Sequence, residues 1–346
     1  MGSLLSYSGL TTKLRAMESR LVREEGYRKI SEMGSVGEVV GYLKRTPEYR
    51  DILEDVDEMN IHRGEVERLL IASIYRDFVR IYRFADPEQK KFLILYFKRY
   101  ELAILKRCFC MVIDHRDLEH AVWHAPEFLA RHSQLNLPKL SASKTLGELI
   151  GNLKGTEYYA PLSRIPEGNG TTLFDYEMTL DLYYFGQIWK QKNKLFRKQD
   201  LKSITQDYGV RFDLTNLNWI CRSREFYQMS AADVYALLIP VTYRLRRQEI
   251  IRLVEAGSEE EFSAVLDKTY YGRKYERLSA GTLEEMYLEI LQNTLLREAR
   301  NHPYSVASMY SFLYQKEREV DRLTTALECV RYGLAPSAAY QLIVKS

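Results

Sequence analysis

Ser35-Val-Gly-Glu38-Val39-Val40-Gly-Tyr-Leu43-Lys-Arg-Thr46 opens a helix, and the chain writes that opening three times. The second copy is Thr145-Leu-Gly-Glu148-Leu149-Ile150-Gly-Asn-Leu153-Lys-Gly-Thr156. The third is Ser258-Glu-Glu-Glu261-Phe262-Ser-Ala-Val-Leu266-Asp-Lys-Thr269. Each begins with Ser or Thr followed three residues later by Glu. This pattern predicts a capping box, in which the hydroxyl accepts from the N3 amide and the Glu carboxylate reaches back to the N-cap amide. Apolar residues follow at Glu+1 and Glu+5 (Val39 and Leu43, Leu149 and Leu153, Phe262 and Leu266), an i, i+4 pair on one helix face. A Thr stands eight residues past each Glu. Successive N-caps are 110 and 113 residues apart, so one unit of about 110 residues used three times is expected.

A looser repeat lies in the long apolar-periodic stretches. Glu101-Leu-Ala-Ile104-Leu105, Asp213-Leu-Thr-Asn216-Leu217 and Glu319-Val-Asp-Arg322-Leu323 share an acid, two residues, a variable position and Leu. Further on, Ser230 with Asp233 at N3 predicts another cap, and Pro336 occupies a place that a helix first turn tolerates. Turn residues at His62-Arg-Gly64, Pro166-Glu-Gly168-Asn169-Gly170 and Ser279-Ala-Gly281-Thr282 precede long helices expected over 65–82, 174–196 and 283–300. Strand alternation is missing throughout. The fold is therefore expected to be all-α, with helical units over 1–125, 126–245 and 246–346.

Composition limits the function. With 346 residues, 46% of them hydrophobic, a large core can be buried, and a net charge of +3 gives no bulk attraction to nucleic acid or lipid. The basic runs Lys190–Lys198 and Arg244–Arg247 read as solvated helix faces. The longest apolar stretches, Phe92–Phe97 and Val234–Val241, fall far short of the roughly 20 residues of a membrane span, and the start of the chain has no signal-peptide pattern. A cytoplasmic protein is expected, unless a partner holds it at a membrane. Four cysteines make no disulfide framework. Asn169-Gly170-Thr171 reads as a turn. The 26 tyrosines serve either an interaction surface or helix packing.

The search for chemistry returns little. No phosphate loop, dinucleotide fingerprint or nucleophile elbow is present. His115, His120, His124 and His132 form the one suggestive cluster, and His120 and His124 are spaced for a shared metal on a helix. Ala121 stands where the zinc motif requires Glu, so the cluster reads as a polar connector and no metal or cofactor is expected. Cys108 and Cys110 point to different helix faces.

Taken together, Tyr7-Ser-Gly-Leu-Thr-Thr12-Lys13-Leu14-Arg15-Ala16-Met17, Leu180-Asp181-Leu-Tyr-Tyr184 and Lys316-Glu317-Arg-Glu319-Val-Asp-Arg322-Leu323 resemble the C subunit of bacterial and archaeal V-type (A-type) ATPases, the counterpart of the eukaryotic d subunit. The resemblance runs in order over essentially the whole chain. Thr12 and Lys13 depart from the usual Ala and Arg, and the family's Asn is kept only at Asn216, with Ile104 and Arg322 in its place elsewhere. The resemblance implies a funnel of three helical units without catalytic residues. It also implies a rotor position on the cytoplasmic face of the membrane, between the central stalk (D- and F-type subunits) and the proteolipid ring, passing torque for proton or sodium transport. The alternatives are a general helical-repeat protein-binding scaffold, whose common repeats are much shorter, and a metal-dependent hydrolase using the histidines. In the adaptor reading Glu101, Asp213, Asn216, Glu319 and Arg322 either line a socket for the stalk or make helix-to-helix hydrogen bonds within each unit.

Overall fold

The computed structural model describes residues 2–118, 127–166, 168, 170–225 and 229–346. Among these residues every regular element is helical. The helices are α1 (Gly2–Glu18), α2 (Glu24–Ser31), α3 (Val36–Lys44), α4 (Arg50–Leu53), α5 (Arg63–Phe84), α6 (Pro87–Ile113), α7 (Glu127–His132), α8 (Leu137–Ser141), α9 (Leu146–Gly151), α10 (Tyr159–Leu162), α11 (Leu173–Leu195), α12 (Lys198–Glu225), α13 (Ala231–Leu237), α14 (Arg247–Glu255), α15 (Glu259–Leu266), α16 (Tyr270–Lys274), α17 (Leu283–Asn301), α18 (Val306–Arg331) and α19 (Pro336–Lys345). A 3-10 turn, Ala280–Thr282, leads into α17.

The three quoted segments are α3, α9 and α15. The side chains of Ser35, Thr145 and Ser258 each accept from the N3 amide, of Glu38, Glu148 and Glu261 respectively, all at 3.2 Å. The return bond differs from the expected box. Each Glu carboxylate takes the amide one residue before the N-cap: Gly34 at 3.1 Å, Lys144 at 2.8 Å and Gly257 at 2.7 Å. The N-cap residues have extended backbones, with φ of −148°, −129° and −139°. That geometry turns the preceding amide toward the first turn, within reach of a carboxylate four residues on. Val39, Leu43, Leu149, Leu153, Phe262 and Leu266 are all buried, so the i, i+4 pairs anchor each helix in the core. Ser230 caps α13 by accepting from the Asp233 amide, and Pro336 opens α19.

The chain divides into two compact units. The first joins both ends of the sequence, residues 1–90 and 299–346, and the second is residues 91–298. In unit 1 the acid-bearing helix α18 pairs with the capped segment near the start of the chain. In unit 1, α18 runs through the centre and packs on α1, α2, α3, α5 and α19. Its Val320, Leu323, Ala326 and Leu327 share one core with Tyr27, Ile30, Val39, Val40, Leu43, Leu53, Val66 and Leu70. Unit 2 carries the order long helix, short helices, capped helix, short helix, long helix twice: α6 through α11, then α12 through α17. There α11 packs on α10 and α12, and α14 packs on α15.

Replacing Ser35, Thr145 or Ser258 with Ala should each cost about 1 kcal/mol of stability, read from the midpoint of urea unfolding. Equal losses at the three positions are expected, because the three caps have the same geometry.

Candidate functional site

The acids of the long-helix repeat lie in the interior, each bonded to a tyrosine of the capped segment. In unit 1, Glu319 on α18 accepts from the Tyr49 hydroxyl at 2.6 Å, from Lys316 Nζ at 2.7 Å and from the Val22 amide at 2.6 Å. In unit 2, Glu101 on α6 accepts from the Tyr158 and Ser133 hydroxyls and from the Gln134 amide at 3.0 Å. Asp213 on α12 accepts from the Tyr271 hydroxyl at 2.9 Å and from the amides of Tyr243, Arg244 and Leu245 at 3.2, 2.6 and 3.0 Å. Glu319, Glu101 and Asp213 are all buried. All three acids are bonded within their own unit, to a tyrosine hydroxyl and to backbone amides of connecting segments.

The tyrosines are poor acids in these positions. Burial first, then the adjoining carboxylate, pushes Tyr49, Tyr158 and Tyr271 well above the ordinary phenol value. Each therefore stays a neutral hydroxyl and a dependable donor. Asp213 is pushed up to about 6, because burial outweighs the Arg244, Leu245, Tyr271 and Tyr243 hydrogen bonds that pull the other way.

Asn216, one turn past Asp213, makes a two-way bond with Ile239, donating to its carbonyl at 3.0 Å and accepting from its amide at 2.9 Å. This ties the chain after α13 to α12. Arg322, at the matching place on α18, donates to the Val344 carbonyl near the end of α19 at 3.4 Å and stands 5.8 Å from the Tyr27 ring. Ile104 is simply buried at the third such place. Gly209, one turn before Asp213, lets the Tyr243 ring lie against α12; a Cβ there would come within 2.4 Å of that ring.

A second set of contacts went unread in the sequence. Lys316 and Lys98 stand three residues before their acids, and Glu48 and Glu157 stand one residue before their tyrosines. Lys98 pairs with Glu157 at 2.7 Å, and Glu157 also accepts from Tyr183 at 3.0 Å and Gln134 Nε2 at 2.8 Å. In unit 1 the matching pair is deeper. Lys316, fully buried, lies 2.7 Å from Glu319, 3.4 Å from Glu48 and 3.8 Å from Asp77, with the Tyr49 ring centroid at 4.4 Å. Arg76 reaches Glu48 at 2.6 Å and Arg80 reaches Asp77 at 3.2 Å. Burial pulls Glu48 up, but Lys316 and Arg76 outweigh it and hold this carboxyl below its usual range; Asp77 is pushed up to about 7 by burial. In the Asp213 copy the two places hold Val210 and Tyr270, and no ion pair forms.

Among the described residues no three His, Cys, Asp or Glu side chains are grouped to hold a metal. His120 and His124 lie outside the described residues. His132 packs against the Phe128 ring at 4.2 Å, and His115 is a turn residue with φ 54°. Burial pushes the Cys108 thiol up to about 12, which keeps it unreactive.

The sequence pattern of the ATP synthase (C/AC39) subunit family matches residues 10–342. The chain belongs to this family. It is similar to the A-type ATP synthase C subunit of Thermococcus kodakarensis, with 24% identity over 97% of this chain and 90% of the relative. The C subunit of Methanosarcina mazei is 25% identical over 95% of this chain and 90% of its own length. For Methanocaldococcus jannaschii the values are 23%, 99% and 87%. This C/AC39 subunit has, among its described residues, no helix long and apolar enough to cross a membrane.

Lys316→Met should cost about 3–5 kcal/mol, since it leaves buried carboxylates without their cation. Lys98→Met removes a partly exposed pair and should cost about 1 kcal/mol or less. Denaturant unfolding of the two variants in parallel checks the difference.

Proposed function

We propose that this C/AC39 subunit is the non-catalytic rotor adaptor of an A-type (V-type) rotary ATPase. In this reading it joins the central-stalk subunits of the D and F type to the membrane proteolipid ring and passes torque between them for ATP-coupled proton or sodium transport. It is held at the cytoplasmic face of the membrane by those partners. The family match along nearly the whole chain carries the reading.

The physical character of the fold supports it. An adaptor under torque must resist shear between its helices. Each acid-bearing helix is fastened to its neighbour by a buried carboxylate taking several short hydrogen bonds. Such charge-assisted bonds are directional and stronger than neutral ones. We further infer that the chain comprises three such modules: residues 306–346 with 1–84, residues 87–195 and residues 198–301. Closed about an axis, they would give the funnel and the socket for a stalk tip. Glu101, Asp213 and Glu319 then act as internal braces that keep the socket in shape, while Asn216 and Arg322 hold the closing segments.

Three outcomes are expected. Affinity-tagged chain expressed in its own host should co-purify with stalk and ring subunits, and recovery of the chain without either sinks the proposal. The isolated chain should give no saturable heat with ATP in a calorimeter, as it has no phosphate-cradling loop. The triple variant Glu101→Lys, Asp213→Lys, Glu319→Lys should lose helicity by circular dichroism together with stalk binding. A fully helical triple variant that still fails to bind would make these acids contact residues instead of braces.

A further inference from the structure

The seam between α12 and α17 in unit 2 holds two acids at its buried end. The helices run antiparallel: Arg222 meets Glu284 at 2.8 Å, Thr215 meets Tyr287 at 3.4 Å, and Ser203 and Gln206 donate to Glu298 at 2.8 and 2.7 Å. Asp207 stands one turn past Ser203, on the same face of α12. It is only 1% exposed, and Glu298 is 5% exposed. Among the described residues no ion pair reaches Asp207, and its Oδ1 meets no hydrogen-bond partner. Arg211, one turn further along α12, is the next charged side chain on that face. The buried cation of α11, Lys192, stands 4.2 Å from the Trp189 ring and donates to Asn193. The segment between α13 and α14 presents amides, which are taken by Asp213.

A carboxylate removed from water with no cation beside it takes up a proton instead of remaining charged. A second carboxylate nearby adds repulsion in the same direction. We propose that Asp207 and Glu298 hold one proton between them, resident on Asp207, and that the α12–α17 seam closes only while that proton is present. Ser203 and Gln206 already donate to Glu298. Loss of the proton leaves two carboxylates facing each other in the seam, and α17 loosens from α12. Asp207 is held well above the usual carboxylate range by burial first and by Glu298 second, which agrees with this placement.

The linkage has a definite sign. The folded chain binds one proton more than the unfolded chain at any pH between the ordinary Asp value near 4 and the higher value of the folded seam. Each pH unit in that window lowers the folding constant about tenfold through this one group. Of the three tryptophans, Trp189 and Trp219 lie among the described residues and both belong to unit 2, so tryptophan fluorescence during urea unfolding of the full chain reports on the unit concerned.

Above pH 5 the wild-type folding constant should fall more steeply with pH than that of Asp207→Asn, by about tenfold per pH unit until the folded seam gives up its proton. Parallel pH profiles for the two proteins would overturn the proposal. If Asp207→Asn does not fold, infrared spectra of the wild type and Glu298→Gln decide the matter. A carboxylic-acid C=O band present in the wild type at pH 7, and titrating away at lower pH in Glu298→Gln, supports the shared proton. A wild type lacking that band, or a band whose titration Glu298→Gln leaves unmoved, refutes it.

Discussion

A buried carboxylate on a long helix, bonded to a tyrosine hydroxyl from a short capped segment, is the contact on which the rest of the structure depends. Removing a carboxylate from water is costly unless donors replace the water. Here the donors are a phenol and backbone amides: Val22 for Glu319, Gln134 for Glu101, and Tyr243, Arg244 and Leu245 for Asp213. Those amides belong to loops that would otherwise be free to move. One buried charge therefore fixes a helix, a tyrosine-bearing turn and a connecting loop at once. The caps of α3, α9 and α15 then set where each tyrosine falls, because the apolar pair behind every cap is locked in the core.

The three versions of this contact differ in how much charge they bury. Around Glu319 two further carboxylates and a lysine are enclosed with it; around Glu101 the extra pair keeps a small exposed fraction; around Asp213 it is replaced by Val210 and Tyr270. Buried pairs are weak sources of net stability, but removing one partner is severe. The Glu319 copy is thus the most intolerant of substitution, and it is the one that joins the two ends of the chain.

Much of this was legible in the sequence because it is local. Caps, helix lengths and the i, i+4 apolar pairs follow from neighbours a few residues apart, and the recurrence of Ser35, Thr145 and Ser258 announced the repeat. The acids at 101, 213 and 319 were visible as a pattern, but their partners were not. The tyrosines stand two or three residues past the quoted motif, at Tyr49, Tyr158 and Tyr271, yet pairing them with the acids requires the chain to close over distances of 270, 57 and 58 residues. A linear reading has no means of seeing that α18, late in the chain, shares its core with the first ninety residues. The return bond of each cap was misplaced by one residue for a smaller reason: it depends on the direction of a single amide, which composition does not encode.

That closure of the two ends sets an order of events during synthesis. Residues 91–298 form a compact unit from one continuous stretch of chain, all of which is made before α18. The first ninety residues emerge earliest and find their core last, since Val39, Leu43, Val66 and Leu70 pack against Val320, Leu323 and Leu327. Until α18 leaves the ribosome this segment is an apolar surface without a cover, the kind of surface that chaperones hold and proteases cut. A chain truncated before α18 therefore leaves Val39, Leu43, Val66 and Leu70 without the side chains that cover them.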